Sequence, residues 1–248
     1  MNQGIDDREG FAAFLLRLRG RGTVPKALIA AFEATPRRGF LAAQFHQIAW
    51  SDRMLPIECG EAIEGADMQA AVIAALAIEQ GNRVLEIGTG SGYTSAVMSR
   101  LAARVITTDR YKTLAEQARQ RFEALGIGNV IVRHADGSGG LPNEGPFDRI
   151  VAWTAFDSLP RFLLDQLSSG GIVIAPIGPE EGEQVLAKLT KVGSRFEREE
   201  HRPRSPAADP ARCRRYHLAR LSMFRPRRVG CVFDPGRHDL KISPGLAL

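Results

Sequence analysis

The sequence predicts an α/β fold: a mostly parallel sheet with an antiparallel last strand, helices on both faces and an N-terminal helical cap. Three observations carry that expectation. Short β-capable runs alternate with helix-length segments from about Gly81 to Lys191, the pattern of a parallel sheet covered on both faces. Val84 to Tyr93, VLEIGTGSGY, joins a buried strand to a glycine turn and then to a helix. Four strand ends in succession each carry a polar residue.

The elements follow in chain order. Residues 1 to about 80 read as helices over Arg8–Arg19, Pro25–Ala34 and Asp67–Gln80, with an irregular Trp50–Gly65 segment that would cap a site. The core begins with a strand at Arg83–Ile87 and a helix at Tyr93–Leu101. A second strand, Arg104–Thr108, ends in Asp109, and a helix spans Lys112–Leu125. A third strand, Asn129–His134, runs into Ala135-Asp136-Gly137, and a fourth begins at Asp148. A helix at Leu159–Leu167, a Gly170-Gly171 stop and another buried strand come next. Gln184–Lys191 and His217–Phe224 would supply the last strands. Between them, Arg195 to Tyr216 is rich in arginine and proline and reads as a mobile loop or hairpin excursion. The organisation is thus 1–80 for the helices and capping loop, 81–224 for the core, and 225–248 for a basic tail.

The glycine turn defines a ligand. Gly88, Gly90 and Gly92, with Thr89 between the first two, let backbone N–H groups approach a ligand and deliver it to a helix N-terminus. A dinucleotide fingerprint needs G-x-G-x-x-G, but here the pattern is G-x-G-x-G and Tyr93 stands at the third glycine's place. Glu86, at the end of an otherwise buried strand, needs a partner such as a backbone amide or a ligand ammonium. That combination suits S-adenosylmethionine, which has a cationic amino acid end and no pyrophosphate. Asp109, about 20 residues past the glycines, is placed to accept from ribose hydroxyls. Asp136 with Gly137 would present a carboxylate and bare backbone to the adenine edge.

These motifs resemble the class I S-adenosylmethionine-dependent methyltransferases, with their Rossmann-like sheet, and among them the protein-L-isoaspartate O-methyltransferases. The likeness runs from about Phe40 to about Leu189, on SDRMLPIECGEAI, VLEIGTGSGY, ADG, GPFDRIV and LLDQLSSGGIVIAPIG. It implies that Glu86, Gly88, Thr89, Gly90 and Gly92 surround the methionine part, Asp109 the ribose, and Asp136 with Gly137 the adenine. Asp52, which opens D-x-x-L-P-I, would orient the acceptor loop or contact the substrate.

One segment departs from the family. After D-x-x-L-P-I the family reads G-Q-T-I-S-Q/A-P, whose threonine and serine hydroxyls help bind the acceptor carboxylate. Here Ala62 takes the threonine position, Glu64 the serine position and Ala66 the proline position. An acceptor carboxylate is already ionised at neutral pH and needs alignment and desolvation rather than a base. An ionised Glu64 at ~4 Å would repel it by about 4 kcal/mol at an effective dielectric near 20, on the order of a thousandfold. Glu64 is then protonated, paired with an arginine, a general base for a hydroxyl, amine or thiol acceptor, or a solvent-facing loop residue beside backbone groups that make the true contacts. The expected activity is methylation of isoaspartyl carboxylates in damaged proteins. The alternatives are a changed acceptor with Glu64 as base, or a module that binds S-adenosylmethionine without catalysis.

Composition agrees with an enzyme of this kind. A chain of 248 residues accommodates one large α/β domain with small additions. It carries no apolar run of about 20 residues and no basic-then-apolar leader, so no membrane insertion and a cytoplasmic location are expected. Cys59, Cys213 and Cys231 are widely spaced, which argues for a reducing compartment and no metal site. A net charge of +5 and few aromatics in the basic tail (Arg225, Arg227, Arg228, Arg237, Lys241) read as a solvated surface rather than a nucleic-acid site. A peptide or protein substrate is the expected partner, with a small-molecule acceptor the other possibility. The sequence sets no oligomeric state.

Overall fold

The computed structural model describes residues 3–21, 24–179, 184–193 and 195–200. Its centre is a seven-stranded sheet in the order β5-β4-β3-β6-β7-β8-β9. The strands are β3 (Arg83–Ile87), β4 (Arg104–Asp109), β5 (Val130–His134), β6 (Phe147–Ala152), β7 (Leu167–Ile177), β8 (Val185–Val192) and β9 (Arg195–Glu200). Pairs from β5 to β7 are parallel, whereas β7–β8 and β8–β9 are antiparallel. The chain starts at β3, builds outward through β4 and β5, then returns to place β6 on the other side of β3. Such a reversal opens a crevice at the carboxyl ends of the strands.

Burial explains why these segments are strands. Val84, Leu85 and Glu86 of β3 and Ile150 and Val151 of β6 are fully buried, as the middle of a parallel sheet requires when helices cover both faces. The helices α3 (Ala66–Leu76), α4 (Tyr93–Ser99), α5 (Lys112–Ala124) and α6 (Arg161–Asp165) connect or flank them. In α5, Leu114, Ala115, Ala118 and Phe122 fall at helical spacing on one buried face, leaving the charged residues to solvent.

The N-terminal cap is α1 (Gln3–Arg21) and α2 (Lys26–Glu33), as the sequence predicts within a few residues. Phe14 packs edge-on to Phe32 at 5.3 Å and against Trp50 at 5.1 Å. Trp50 and Phe40 in turn meet Tyr93 of α4. One apolar cluster therefore runs from Phe14 and Phe32 through Tyr93 to Val84 and Val105 of the sheet. Arg17 ties α1 to α3, with its Nε and Nη2 on the Asp67 carboxylate at 2.8–3.2 Å and Nη2 also on the Trp50 carbonyl at 2.5 Å.

Four expectations are corrected. The Trp50–Gly65 segment contains a small antiparallel hairpin, β1 (Leu55–Pro56) with β2 (Ala62–Ile63). The helix expected to reach Gln80 stops at Leu76, because Ala77 adopts a left-handed conformation at φ 48° and ends the ladder. The helix expected over Leu159–Leu167 forms only between Arg161 and Asp165, after Pro160. Gly170-Gly171 is not a helix stop: β7 runs through it, and the β6–β7 register slips there, from Phe147–Leu167 to Arg149–Ile172. Of the loop or hairpin excursion expected from Arg195, the hairpin forms over Arg195–Glu200, a strand paired antiparallel to β8 with its side of the ladder set by tertiary pairing and not by its own polar sequence. The strand expected at His217–Phe224 and the tail at 225–248 lie outside the described residues. Among the described residues, no helix is long and apolar enough to cross a membrane.

Candidate active site

A cleft open to solvent lies at the carboxyl ends of β3, β4, β5 and β6. Across its floor stand Asp136 after β5, Asp109 at the end of β4, the Gly88-Thr89-Gly90 turn after β3, and Trp153-Thr154 after β6. The β1–β2 hairpin forms the roof. Ile63 and Ile57 press so closely on Gly90 that a Cβ there would sit 3.3 and 3.5 Å from them. Arg110, beyond β4, meets Glu61 of the roof at 3.3 Å and so clasps hairpin to floor.

Asp109 is 7 % exposed and accepts from the Gly90 and Tyr111 backbone N–H groups, each at 2.9 Å. Burial pushes its carboxyl up, and the two N–H donors work against that. The same contacts fix the glycine turn to the second strand. Asp136 is exposed at the cleft rim, and its Oδ1 caps a turn at Ser138 N, 2.9 Å away. Gly137 is glycine for a packing reason that sequence reasoning did not supply: a Cβ would lie 2.6 Å from Ile87 Cγ2 and 3.0 Å from Thr108 Cγ2.

Two residues assigned to the ligand are placed elsewhere. Glu86 does not line the cleft; it is fully buried behind a wall made by Thr94 and Trp153. Thr94 Oγ1 donates to it at 2.5 Å, Trp153 Nε1 at 2.9 Å and Thr107 Oγ1 at 2.8 Å, and the Ser95 hydroxyl is a fourth donor. Burial raises its carboxyl's pKa and the four donors lower it. The partner that a buried carboxylate demanded is thus this set of side chains. Gly92, at φ 85°, also sits off the cleft, and its missing Cβ makes room for Phe122 and Ala118 of α5, about 3 Å away.

Of the acceptor-side residues, Glu64 is in the cleft and Asp52 is not. Asp52 is exposed, and its backbone packs under Gly65, where a Cβ would meet it at 2.3 Å. Glu64 is half-buried in the cleft wall; its carboxylate has no hydrogen-bond partner among the described residues. Desolvation alone raises its pKa to about 7. The pairing of the Glu64 carboxylate with an arginine, considered from sequence, is not formed among the described residues. Arg37, fully buried, donates to the Glu64 backbone carbonyl at 2.8 Å and to Gln69 Oε1, not to the Glu64 side chain.

Gln69, Trp153, Thr154 and the Glu61–Arg110 clasp were not legible as site residues. A signal for Gln69 was present: it is a lone amide in the apolar helix ADMQAAVIAAL. Trp153, an indole directly after the Ile150-Val151-Ala152 end of β6, was another.

The doubly wound sheet with an antiparallel finish, and a glycine turn between strands bearing acids, define a class I methyltransferase fold. Comparison with known proteins goes further. The family model for protein-L-isoaspartate(D-aspartate) O-methyltransferase matches residues 11–202, and the chain belongs to that family. A protein-L-isoaspartate O-methyltransferase of Rhizobium meliloti is 47% identical over 185 residues, covering 75% of this chain and 91% of that protein. One from Azorhizobium caulinodans is 43% identical over 197 residues, covering 79% and 91%. A solved protein-L-isoaspartate O-methyltransferase structure superposes with a TM-score of 0.69 at 28% identity, covering 80% of this chain and 66% of that one.

Proposed function

We propose that this protein transfers the methyl group of S-adenosylmethionine to the free carboxylate of isoaspartyl residues in proteins. The observation that carries this reading is the order of groups across the cleft floor: Asp136, Asp109, the glycine turn, then Thr154. It follows the order of strands β5, β4, β3 and β6, and matches the extended form of the ligand. Asp136 and Gly137 would hold the adenine, Asp109 would accept from the ribose hydroxyls, and Gly88, Thr89 and Gly90 would hold the amino acid end, leaving the β6 side of the cleft beneath the hairpin for the acceptor. Glu86 and Gly92 act at one remove: Glu86 holds the Thr94–Trp153 wall, and Gly92 seats α4 against α5. Asp52 supports the roof through Gly65 rather than touching the acceptor.

The ligand supplies an electrophilic methyl group on a sulfonium. An acceptor carboxylate oxygen attacks the methyl carbon in line, the sulfur keeps the electron pair of the broken bond, and a methyl ester forms beside S-adenosylhomocysteine. The chain's residues need only align and desolvate that oxygen. No proton is transferred. Glu64, its pKa raised to about 7 by burial, is about half protonated at neutral pH, and in its protonated form it meets the acceptor as a hydrogen-bond donor instead of a repelling charge.

The test is transfer of labelled methyl from S-adenosylmethionine to an isoaspartyl peptide and to its normal aspartyl twin. Base-labile label on the isoaspartyl peptide alone is the expected result. Label on neither, with S-adenosylhomocysteine still binding by calorimetry, would end this reading.

A further inference from the structure

The β6 end of the cleft is built from residues whose hydrogen-bonding capacity is left open. Helix α3 packs against β6 and β7, so Gln69 of α3 and Thr154 beyond β6 belong to the same end. Gln69 is 3 % exposed and lines the cleft. Its Oε1 accepts from the buried Arg37 guanidinium. A guanidinium has donors only, so the amide oxygen must face it and the NH₂ must face the other way. The orientation of this amide is therefore dictated rather than optional. Its Nε2 has no hydrogen-bond partner among the described residues, and it is not one of the sealed, unpartnered atoms. Thr154 is 6 % exposed, and its Oγ1 is buried with no partner among the described residues. A turn about χ1 exchanges that hydroxyl with the methyl group. A ligand that accepts the hydroxyl would recover what its orphaned position costs.

The second orphaned hydroxyl of the cleft, on Ser91, sits in the glycine turn over β3 and belongs to the other half of the site. What remains toward β6, beside the Glu64 carboxyl, is an amide NH₂ and the Thr154 hydroxyl, which a χ1 turn would bring to the cleft, with Ile63 and Trp153 as apolar and aromatic lining. That chemistry suits an anion with two oxygens.

We propose that Gln69 Nε2 and Thr154 Oγ1 are the donors that hold the acceptor carboxylate, with Arg37 the positioning residue that aims the Gln69 amide. This assignment rests on the isoaspartyl reading above and names the contacts that realise it. Arg37 does two things at once. One guanidinium fixes both the Gln69 amide and the Glu64 carbonyl, so helix α3 and the acceptor loop are set in a common frame. Its charge also polarises the amide, which strengthens the N–H groups on the far side.

Three variants test it: Gln69→Glu, which keeps a partner for Arg37 but replaces the NH₂ by oxygen; Thr154→Val, close in shape with no hydroxyl; and Thr154→Ser, which restores the hydroxyl. KM for an isoaspartyl peptide is expected to rise about ten- to hundredfold in Gln69→Glu and about tenfold in Thr154→Val, the range for hydrogen bonds to a charged group. Thr154→Ser should return close to wild type. Affinity for S-adenosylhomocysteine, measured by calorimetry, should stay unchanged in all three. A KM at wild-type level in both Gln69→Glu and Thr154→Val would overturn the assignment. So would lost S-adenosylhomocysteine affinity with unchanged KM, because these groups would then serve the other ligand. If Gln69→Glu fails to fold, the Val and Ser variants at Thr154 decide alone. Failure of the wild-type enzyme to methylate the peptide would instead overturn the functional reading itself, before any variant is compared.

Discussion

Replacing Glu64 by Gln tests whether its protonation controls turnover. The carboxyl titrates at about 7 in the cleft. Its surroundings leave it without a charge partner: Arg37 meets only its backbone carbonyl, and Asp67 is engaged by Arg17. Across the cleft, Glu61 pairs with Arg110, Asp109 is held by backbone N–H groups, and Tyr111 is a phenol held by Arg110. An acceptor carboxylate is ionised throughout pH 6 to 8, so only the Glu64 side of the encounter changes. Ionised Glu64 within ~4 Å would repel the acceptor by about 4 kcal/mol, a thousandfold, so turnover follows the neutral fraction. That fraction is roughly nine-tenths at pH 6 and one-tenth at pH 8, for a pKa of about 7. Hence kcat/KM on an isoaspartyl peptide should fall about tenfold from pH 6 to pH 8 in the wild type. Glu64→Gln should stay near the low-pH value throughout, which separates Glu64 from the exposed His134, present in both proteins. A flat wild-type profile, or an equal decline in the variant, would refute the argument. A rise with pH that Glu64→Gln abolishes would mark Glu64 as a base.

The same carboxyl affects stability. Its folded pKa of about 7 lies above the unfolded 4.5, so the folded state keeps a proton that the unfolded state has lost, and stability falls as pH rises from about 4.5 to 7. The deficit above pH 7 reaches at most about 3 kcal/mol, so Glu64→Gln should raise the melting temperature at pH 8 and leave it nearly unchanged at pH 4.5. Asp109→Ala should weaken S-adenosylhomocysteine binding by tenfold or more in calorimetry, as the acceptor for both the turn and the ribose is lost; unchanged affinity would remove the ribose assignment. Glu86→Ala strips four buried donors of their acceptor, and urea unfolding should show a loss of about 3 kcal/mol or more. A wild-type midpoint would mean those donors find other partners. Gly137→Ala pushes a methyl to within 2.6 Å of Ile87, and about 1–3 kcal/mol of destabilisation is expected by the same measurement.

Much of this molecule is written locally. Strands β3, β4 and β5 are apolar, β-capable runs closed by turns, and their ends fall within about two residues of the expected positions. The glycine turn and the acids after β4 and β5 could be placed because sequence order fixes which strand ends share an edge. Less legible were segments whose state depends on neighbours. Arg195–Glu200 has the composition of a solvated loop, yet it pairs residue for residue with β8. Gly170-Gly171 reads as a stop, yet β7 passes through it because the ladder on β6 accommodates a slip.

Strands β3 to β5, the glycine turn and the family are carried by the amino-acid order alone, since all rest on short-range patterns and on motifs of fixed spacing. Tertiary structure alone decided the direction in which each polar group points. Glu86 and Glu64 are both carboxylates beside the same cleft, but four donors enclose the first and none reaches the second. Arg37 and Gln69 are 32 positions apart and meet only because α3 folds back onto the N-terminal cap. Hydrogen bonds act over about 3 Å, and the chain's spacing carries no record of which distant groups will come that close.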